Sequence, residues 1–151
     1  MSTLKVDTYL TRGGASEIAI DKIKGVTAAG SMLVVGEGGT VTTNLQQGLA
    51  KAWVNFDGTA AGAAARGSFN LASMTDSGTG LYVCNLTNAF ANTNDCAATS
   101  SASAATTGSD NRNISTTITS ASAIDSRVSN AASGAVLDTV VNNVSAHGDL
   151  A

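Results

Sequence analysis

The scarcity of large side chains is the feature of this sequence that most constrains its fold. Three Phe, two Tyr and one Trp are the only aromatic residues among 151, and alanine inflates the hydrophobic fraction of 43%. Aromatic side chains bury the largest area per residue, so a core with so few of them is thin. A subunit with a thin core obtains the missing apolar burial from its neighbours, and we therefore predict an oligomer.

The remaining residues favour strands over helix or disordered coil. The chain is rich in Thr and Val, contains no proline and has a charged fraction of only 13%. Thr and Val are enriched in β-strands. Disordered chains usually combine low hydrophobicity with high net charge and much proline, which this sequence lacks. We expect an all-β protein.

Residues 1–46 read as a short N-terminal β segment with an anchoring or intertwined role. Glycines separate its short apolar pieces, which lie at residues 4–10, 18–23, 32–35 and 41–45. Pieces this short cannot close a core within one chain. Three such chains wrapped about a common axis could close one, which favours a trimer.

Residues 47–151 are predicted to form an outer domain, an antiparallel β-sandwich or jelly-roll-like fold. In a strand at residues 51–56, Ala52, Val54 and Phe56 would share one face and Trp53 and Asn55 the other. Runs of strand formers at residues 68–74 and 81–86 predict a hairpin. Further strands are expected at residues 113–119, 123–129 and 135–146. The Ala-, Ser- and Thr-rich residues 97–109 are expected to form a surface loop.

The aromatic residues of the outer domain are the structural or interface candidates: Trp53, Phe56, Phe69 and Tyr82. For Trp53 we favour packing of the sandwich or burial at a subunit contact, with ligand stacking as the alternative. Cys84 and Cys96 could form a disulfide after release into an oxidising medium. The alternative is two free thiols, buried or idle.

Composition also argues against several function classes. The net charge is −3 and the Lys and Arg residues are scattered, so a phosphate-binding footprint for nucleic acid is absent. The N-terminus does not have the pattern of a signal peptide. No apolar run approaches the length needed to span a bilayer. We expect a protein made in a cytosol that does not insert into membranes.

The sequence offers little for catalysis, and we predict no catalytic residue, no cofactor and no metal site. The segment Gly36-Glu37-Gly38-Gly39 lacks the Gly-Lys-Ser/Thr ending of a phosphate loop. His147 is the only histidine, so one subunit cannot build a histidine-based metal site. The aspartates fall mainly in turns, where hydrogen bonding to the backbone explains them.

Four runs of residues carry a resemblance to known proteins. The most specific is Ala50-Lys51-Ala52-Trp53-Val54-Asn55-Phe56-Asp57-Gly58-Thr59, and the others are residues 68–80, the opening residues 2–8 and the closing residues 144–149. These runs resemble the terminal domains of tail-fibre and related virion proteins of tailed phages, especially marine and cyanobacterial ones. The resemblance spans most of the chain.

The resemblance implies a homotrimeric fibre or fibre-like subunit of the virion that contacts other virion proteins. A fibre tip would contact a host-surface glycan or protein through loops such as residues 57–67 or 92–111. A capsid decoration or cement protein that stabilises the head is the alternative. A glycan-degrading tailspike is a further, minor alternative, because some phage fibres cleave host polysaccharides. Each of these roles places the protein on the virion after synthesis in the host cytoplasm.

Overall fold

The computed structural model describes residues 32–36, 38–103 and 112–151. The predicted strands at residues 4–10 and 18–23 lie outside the described residues. Most of the rest of the chain forms two four-stranded antiparallel sheets that pack face to face. The expected all-β fold with an antiparallel β-sandwich is therefore confirmed.

The described elements are ten strands and one short helix. In chain order they are β1 (Leu33–Val35), β2 (Thr42–Asn44), α1 (Leu45–Gly48), β3 (Ala50–Asp57), β4 (Ala64–Phe69), β5 (Leu71–Gly78), β6 (Leu81–Leu86), β7 (Cys96–Ser103), β8 (Arg112–Ser120), β9 (Ala123–Asn130) and β10 (Val141–Gly148).

The two sheets of the sandwich have the strand orders β4-β3-β10-β7 and β5-β6-β9-β8. The first and last strands of the sandwich, β3 and β10, are therefore neighbours in one sheet. Their antiparallel register places Trp53 opposite Ser145 and Asn55 opposite Asn143. This pairing brings residues from both ends of the domain onto one surface.

The core lies between the sheets and follows the predicted alternation of β3. Ala52, Val54 and Phe56 are buried, whereas Trp53 and Asn55 lie on the outer face. Phe56 meets Tyr82 of the opposite sheet edge to face, with ring centroids 5.0 Å apart. Aromatic pairs in this arrangement contribute beyond their buried area, so this contact compensates for the small number of large core residues.

Asn70 divides the predicted strand at residues 68–74 into two strands in different sheets. Its φ of 59° is a left-handed conformation, which asparagine tolerates better than most residues. Its side-chain amide donates to the carbonyls of Lys51 and Asn88, and its side-chain oxygen accepts from the amide of Asn88. These bonds fix the corner, after which β5 and β6 form the predicted hairpin.

The prediction of a surface loop at residues 97–109 is wrong for the first half of that range. Residues 97–103 belong to β7, which pairs with β10 along its whole length, while residues 104–109 lie outside the described residues. Cys96, Ala98 and Ala102 pack against the core despite their small size. A ladder of backbone hydrogen bonds with β10 therefore holds a strand with few large side chains.

The remaining strands match their predictions with one shift. β8 covers the predicted strand at residues 113–119, with Ile114 and Ile118 packed against the core, and β9 covers the predicted strand at residues 123–129. The last strand begins at Val141, six positions later than predicted, because the preceding residues form an irregular segment with a single bridge at Val136.

A two-stranded hairpin, β1 with β2, and the short helix α1 precede the sandwich. Asn44 caps α1 by accepting hydrogen bonds from the backbone amides of Gln46 and Gln47. The first sandwich strand then begins at Ala50, near the predicted domain boundary at residue 47. In the described part of the chain, no helix is long and apolar enough to cross a membrane.

Candidate functional site

The outer surface of the sheet β4-β3-β10-β7 carries two parallel rows of side chains. In the first row, β-sheet register aligns Phe69, Trp53, Ser145 and Thr99 across the four strands. In the second row, it aligns Gly67, Asn55, Asn143 and Ser101. We call these residues the Trp53 face.

Trp53 and Phe69 are the two largest side chains on the Trp53 face, and both are exposed. Trp53 retains 44% of its accessible surface and Phe69 retains 52%. Neither Trp53 nor Phe69 therefore packs between the sheets, whereas Phe56 and Tyr82 both lie in the core. Contact with another subunit or with a ligand remains for Trp53 and Phe69.

The indole of Trp53 lies over Gly67 of the neighbouring strand β4. A Cβ atom built on Gly67 would lie 3.6 Å from Cζ3 and 3.7 Å from Cη2 of Trp53, which is ordinary van der Waals contact. The six-membered ring of the indole thus packs over the backbone of β4.

A groove of about 430 Å³ runs along the Trp53 face. Trp53, Asn55, Asn143, Ser101, Ser145 and Thr99 contribute to its lining. The Asn55 amide donates to the Asn143 side-chain oxygen at 2.7 Å, and the Asn143 amide donates to the Ser101 hydroxyl at 3.2 Å. This ladder crosses three strands and fixes the two amides in place.

The groove is lined by no charged residue in the part of the chain that the structure describes. Its lining consists of Trp, Val, Asn, Thr and Ser residues. After the ladder bonds are counted, Asn143 retains one N–H donor and one acceptor lone pair, and Asn55 retains a donor and its carbonyl oxygen. The groove therefore offers an aromatic surface and neutral hydrogen-bonding groups side by side.

A second depression, on the outer face of the other sheet, has a different character. It measures about 340 Å³, and its lining includes Asp125 and Arg127 together with Ser115 and Thr117. No tryptophan or phenylalanine lines it. The pairing of an exposed aromatic residue with neutral amides is therefore a property of the Trp53 face.

Most aspartates in the described part of the chain accept structural hydrogen bonds through their side chains. Asp76 accepts from the amide of Gly78, Asp95 from the side chain of Asn92, and Asp125 from the hydroxyl of Thr119. Asp57 accepts from the hydroxyl of Thr59 and forms an ion pair with Arg66 at 2.7 Å. The sequence predicts that the aspartates lie mainly in turns and accept hydrogen bonds from the backbone. Asp57 and Asp76 do accept from backbone amides two residues further on, but Asp76 lies within β5 and Asp125 within β9.

Asp138 differs because it supports a buried tyrosine. Tyr82 donates its hydroxyl to Oδ1 of Asp138 at 2.8 Å, and the amide of Gly80 donates to the same oxygen at 2.7 Å. Burial of the Tyr82 hydroxyl and its bond to Asp138 raise the pKa of that tyrosine. This arrangement stabilises the neutral phenol and serves the fold.

His147 lies near the residues that most resemble a metal site, but the cluster is incomplete. His147, Cys96 and Asp95 line a shallow depression of about 350 Å³. Within the described residues, no group of three or more His, Cys, Asp or Glu side chains is placed to hold a metal ion. The depression therefore offers no geometry for a metal centre.

The two cysteines that could have formed a disulfide are free thiols in the structure. Cys84 is buried in the core, and burial raises its pKa to about 12. Cys96 is half-buried, and its thiol donates to the backbone carbonyls of Asn92 and Thr93. The structure thus contains the second of the two alternatives considered for these residues.

Comparison with known proteins gives no family assignment. No protein-family model, curated protein or solved structure matches the chain. The site is therefore interpreted from its own chemistry.

The alternation in β3 predicts that Trp53 and Asn55 share a face. The sequence does not predict that Thr99 and Ser101 join them, because it indicates a loop at residues 97–109, and it does not predict the position of Asn143.

Proposed function

We propose that this chain is a structural, non-catalytic subunit of a phage virion, a tail-fibre or fibre-like protein that assembles as a homotrimer. In this proposal, residues 1–46 attach the subunit to its copies and to other virion proteins. The sandwich faces outward and meets the host surface. The sequence resemblance motivates the virion assignment, and its most specific run, residues 50–59, includes all of β3 and the turn that follows it.

The observation that carries the oligomer is the exposed apolar surface of the hairpin β1-β2. All three residues of β1 are exposed, with Leu33 at 54% and Val35 at 58%, and Val41 beside β2 is 72% exposed. A two-stranded hairpin is marginally stable at best in water. Contiguous apolar surface of this kind marks an interaction site.

Contact with the same hairpin in other copies of the chain is the simplest way to bury this surface. Each chain presents apolar side chains on both sides of a short ribbon, so three ribbons around an axis would bury one side of each against the others. This burial would add to the thin core of the single sandwich. The argument concerns the assembly and is independent of where the particle carries the protein.

The oligomer is tested by light scattering on the purified full chain. We expect a mass three times that of one chain, and we expect Val35→Lys to lower it because a charge would enter the apolar contact. Val136→Lys is the matched control, since Val136 is an exposed valine of the sandwich outside the hairpin. A monomeric wild-type protein, or equal effects of the two variants, would contradict the proposal.

Location on the particle is tested by antibody labelling of virions in electron micrographs. Label on the tails supports the fibre role. Label on the heads, with a high copy number per particle, would support the alternative of a capsid decoration protein. Absence of the protein from purified virions would overturn the virion assignment itself.

A further inference from the structure

We propose that the groove on the Trp53 face binds a neutral glycan. This inference deepens the host contact of the proposed function and rests on it, but it names a ligand class and a place. The binding surface is a sheet face, whereas the sequence predicted a host contact through loops at residues 57–67 or 92–111; Cys96–Ser103, within the second range, forms β7 and contributes Thr99 and Ser101 to the face. The sugar rings of the glycan would lie across β3 and β10, along the two rows of the Trp53 face.

The first argument is the exposed indole of Trp53. Trp53 and its cross-strand neighbour Phe69 together expose an aromatic surface, and the apolar faces of sugar rings stack on aromatic planes. The six-membered ring of Trp53 lies over Gly67, and Trp53 lines the groove while 44% of its surface stays exposed. The indole surface is therefore accessible to a ligand in the groove.

The second argument is the hydrogen-bonding pattern beside the indole. Sugar hydroxyls donate and accept at the same time, and asparagine amides match this capacity with a donor and an acceptor on one group. Asn55 and Asn143 are held by the ladder that ends at Ser101, yet both keep free capacity. Ser145 and Thr99 add two hydroxyls in the neighbouring row.

The third argument is charge. The described residues that line the groove include no Asp, Glu, Lys, Arg or His, so neither an anionic nor a cationic ligand gains an ion pair there. A neutral sugar leaves no charge unpaired on either side, whereas a carboxylated sugar would lose hydration without compensation. The groove volume of about 430 Å³ falls in the range of small-ligand sites.

The experiment uses the purified full chain and the fluorescence of Trp53, which is the only tryptophan. Cellohexaose and maltohexaose are the neutral probes, hexagalacturonate is the anionic probe of the same length, and a glycan array extends both classes. We expect a saturable change in Trp53 emission with a neutral probe and none with hexagalacturonate. Binding that does not depend on Trp53, or a preference for acidic glycans, would overturn the inference.

Variants separate the groove from the rest of the surface. Asn143→Ala should weaken binding about tenfold, as expected for one lost sugar hydrogen bond and a loosened ladder. Asn113→Ala is the matched control, because Asn113 is an exposed asparagine on a strand of the other sheet, and it should leave the dissociation constant unchanged. Trp53→Ala should abolish array binding, and Trp53→Phe should retain part of it.

A second measurement distinguishes this site from a subunit contact. Acrylamide should quench Trp53 in the oligomer as readily as an exposed indole, and neutral sugar should protect it. An indole already protected in the sugar-free oligomer would assign the Trp53 face to the interface between copies and overturn the glycan site. Loss of sugar binding with an intact trimer defeats this inference alone, whereas a monomer that still binds sugar defeats only the proposed assembly.

Discussion

The hydroxyl of Tyr82 donates a hydrogen bond to the carboxylate of Asp138 at 2.8 Å. This bond joins the start of β6 to the irregular segment before β10. The same carboxylate oxygen accepts from the backbone amide of Gly80. One exposed side chain thus fixes a core tyrosine and the turn before it.

Tyr82→Phe is expected to lower the free energy of unfolding by about 1.5–3 kcal/mol, the range for a hydrogen bond to a charged group. The ring and its contact with Phe56 would remain, so the loss reports the hydroxyl. Urea unfolding of both proteins measures it. Thr117→Ala is the control, because Thr117 is an exposed residue on the outer face of the sheet that contains Tyr82. An unchanged unfolding midpoint in Tyr82→Phe would show that Asp138 does not support the core.

Gly80→Ala should destabilise the sandwich more than Gly134→Ala. Both glycines have positive φ, 66° and 72°, so both substitutions strain the backbone similarly. Only at Gly80 would the new Cβ meet backbone atoms, 2.6 Å from the Val128 carbonyl oxygen and 2.8 Å from the Leu137 nitrogen. We expect an additional loss of about 1–3 kcal/mol from this overpacking. Equal unfolding midpoints for the two variants would contradict the prediction.

The carboxyl group of Asp57 should titrate below its ordinary pKa of 3.8. The bond from the Thr59 hydroxyl is the largest cause, and the charge of Arg66 also lowers the pKa. The folded state gains stability from the carboxylate above the unfolded pKa, and this stability is lost as the pH falls through the lower folded pKa. NMR titration of wild type, Thr59→Ala and Arg66→Gln measures the shift.

The Thr59→Ala variant should bring the pKa of Asp57 closer to the ordinary value than Arg66→Gln does. Asp57→Asn should also flatten the acid side of the stability profile, because its side chain carries no titrating charge. A larger effect of Arg66→Gln on the pKa would show that charge outweighs the hydrogen bond.

Native protein should contain two reactive thiols of unequal rate, with Cys96 modified well before Cys84. Cys84 is buried and its pKa is raised to about 12, so the nucleophilic thiolate is scarce until the sandwich opens. Burial and the neighbouring Asp95 also raise the pKa of Cys96, so its reaction should be slower than that of a free thiol. A thiol-reactive chromophore with Cys96→Ser as control measures both rates. A protein without titratable thiols under oxidising conditions would favour the disulfide.

The sequence predicted those parts of the fold in which side-chain size alternates along a strand. The alternation in β3 predicts an inward face formed by Ala52, Val54 and Phe56. The alternation in β8 predicts one formed by Ile114 and Ile118. Cys96–Ser103 lacks that contrast because its inward and outward residues are all small, so its pairing with β10 could not be read from periodicity. At the corner, Asn70 was the available signal, since asparagine tolerates the left-handed conformation that a continuous strand forbids.

The candidate site was predictable only in part, for the same reason. The alternation in β3 places Trp53 and Asn55 outside, but the exposure of Trp53 depends on which neighbours stand beside it. Its direct cross-strand neighbours are Phe69 in the next strand, β4, and Ser145 in β10. Ser145 and Asn143 belong to a strand distant in the sequence, and only the register of the folded sheet places them beside Trp53 and Asn55.

The pairing of β3 with β10 has a mechanical consequence. Ala50 begins one strand and Gly148 ends the other, so these residues lie at the same end of an antiparallel ladder. Tension between them would unzip the ladder one hydrogen-bonded pair after another, because the bonds run perpendicular to the strands. Tension between Ala50 and Val141, which lie on different strands at opposite ends of the ladder, would instead pull the strands along their lengths and load many of those bonds in shear at once. The same domain would thus resist force strongly or weakly according to where a neighbouring protein grips it.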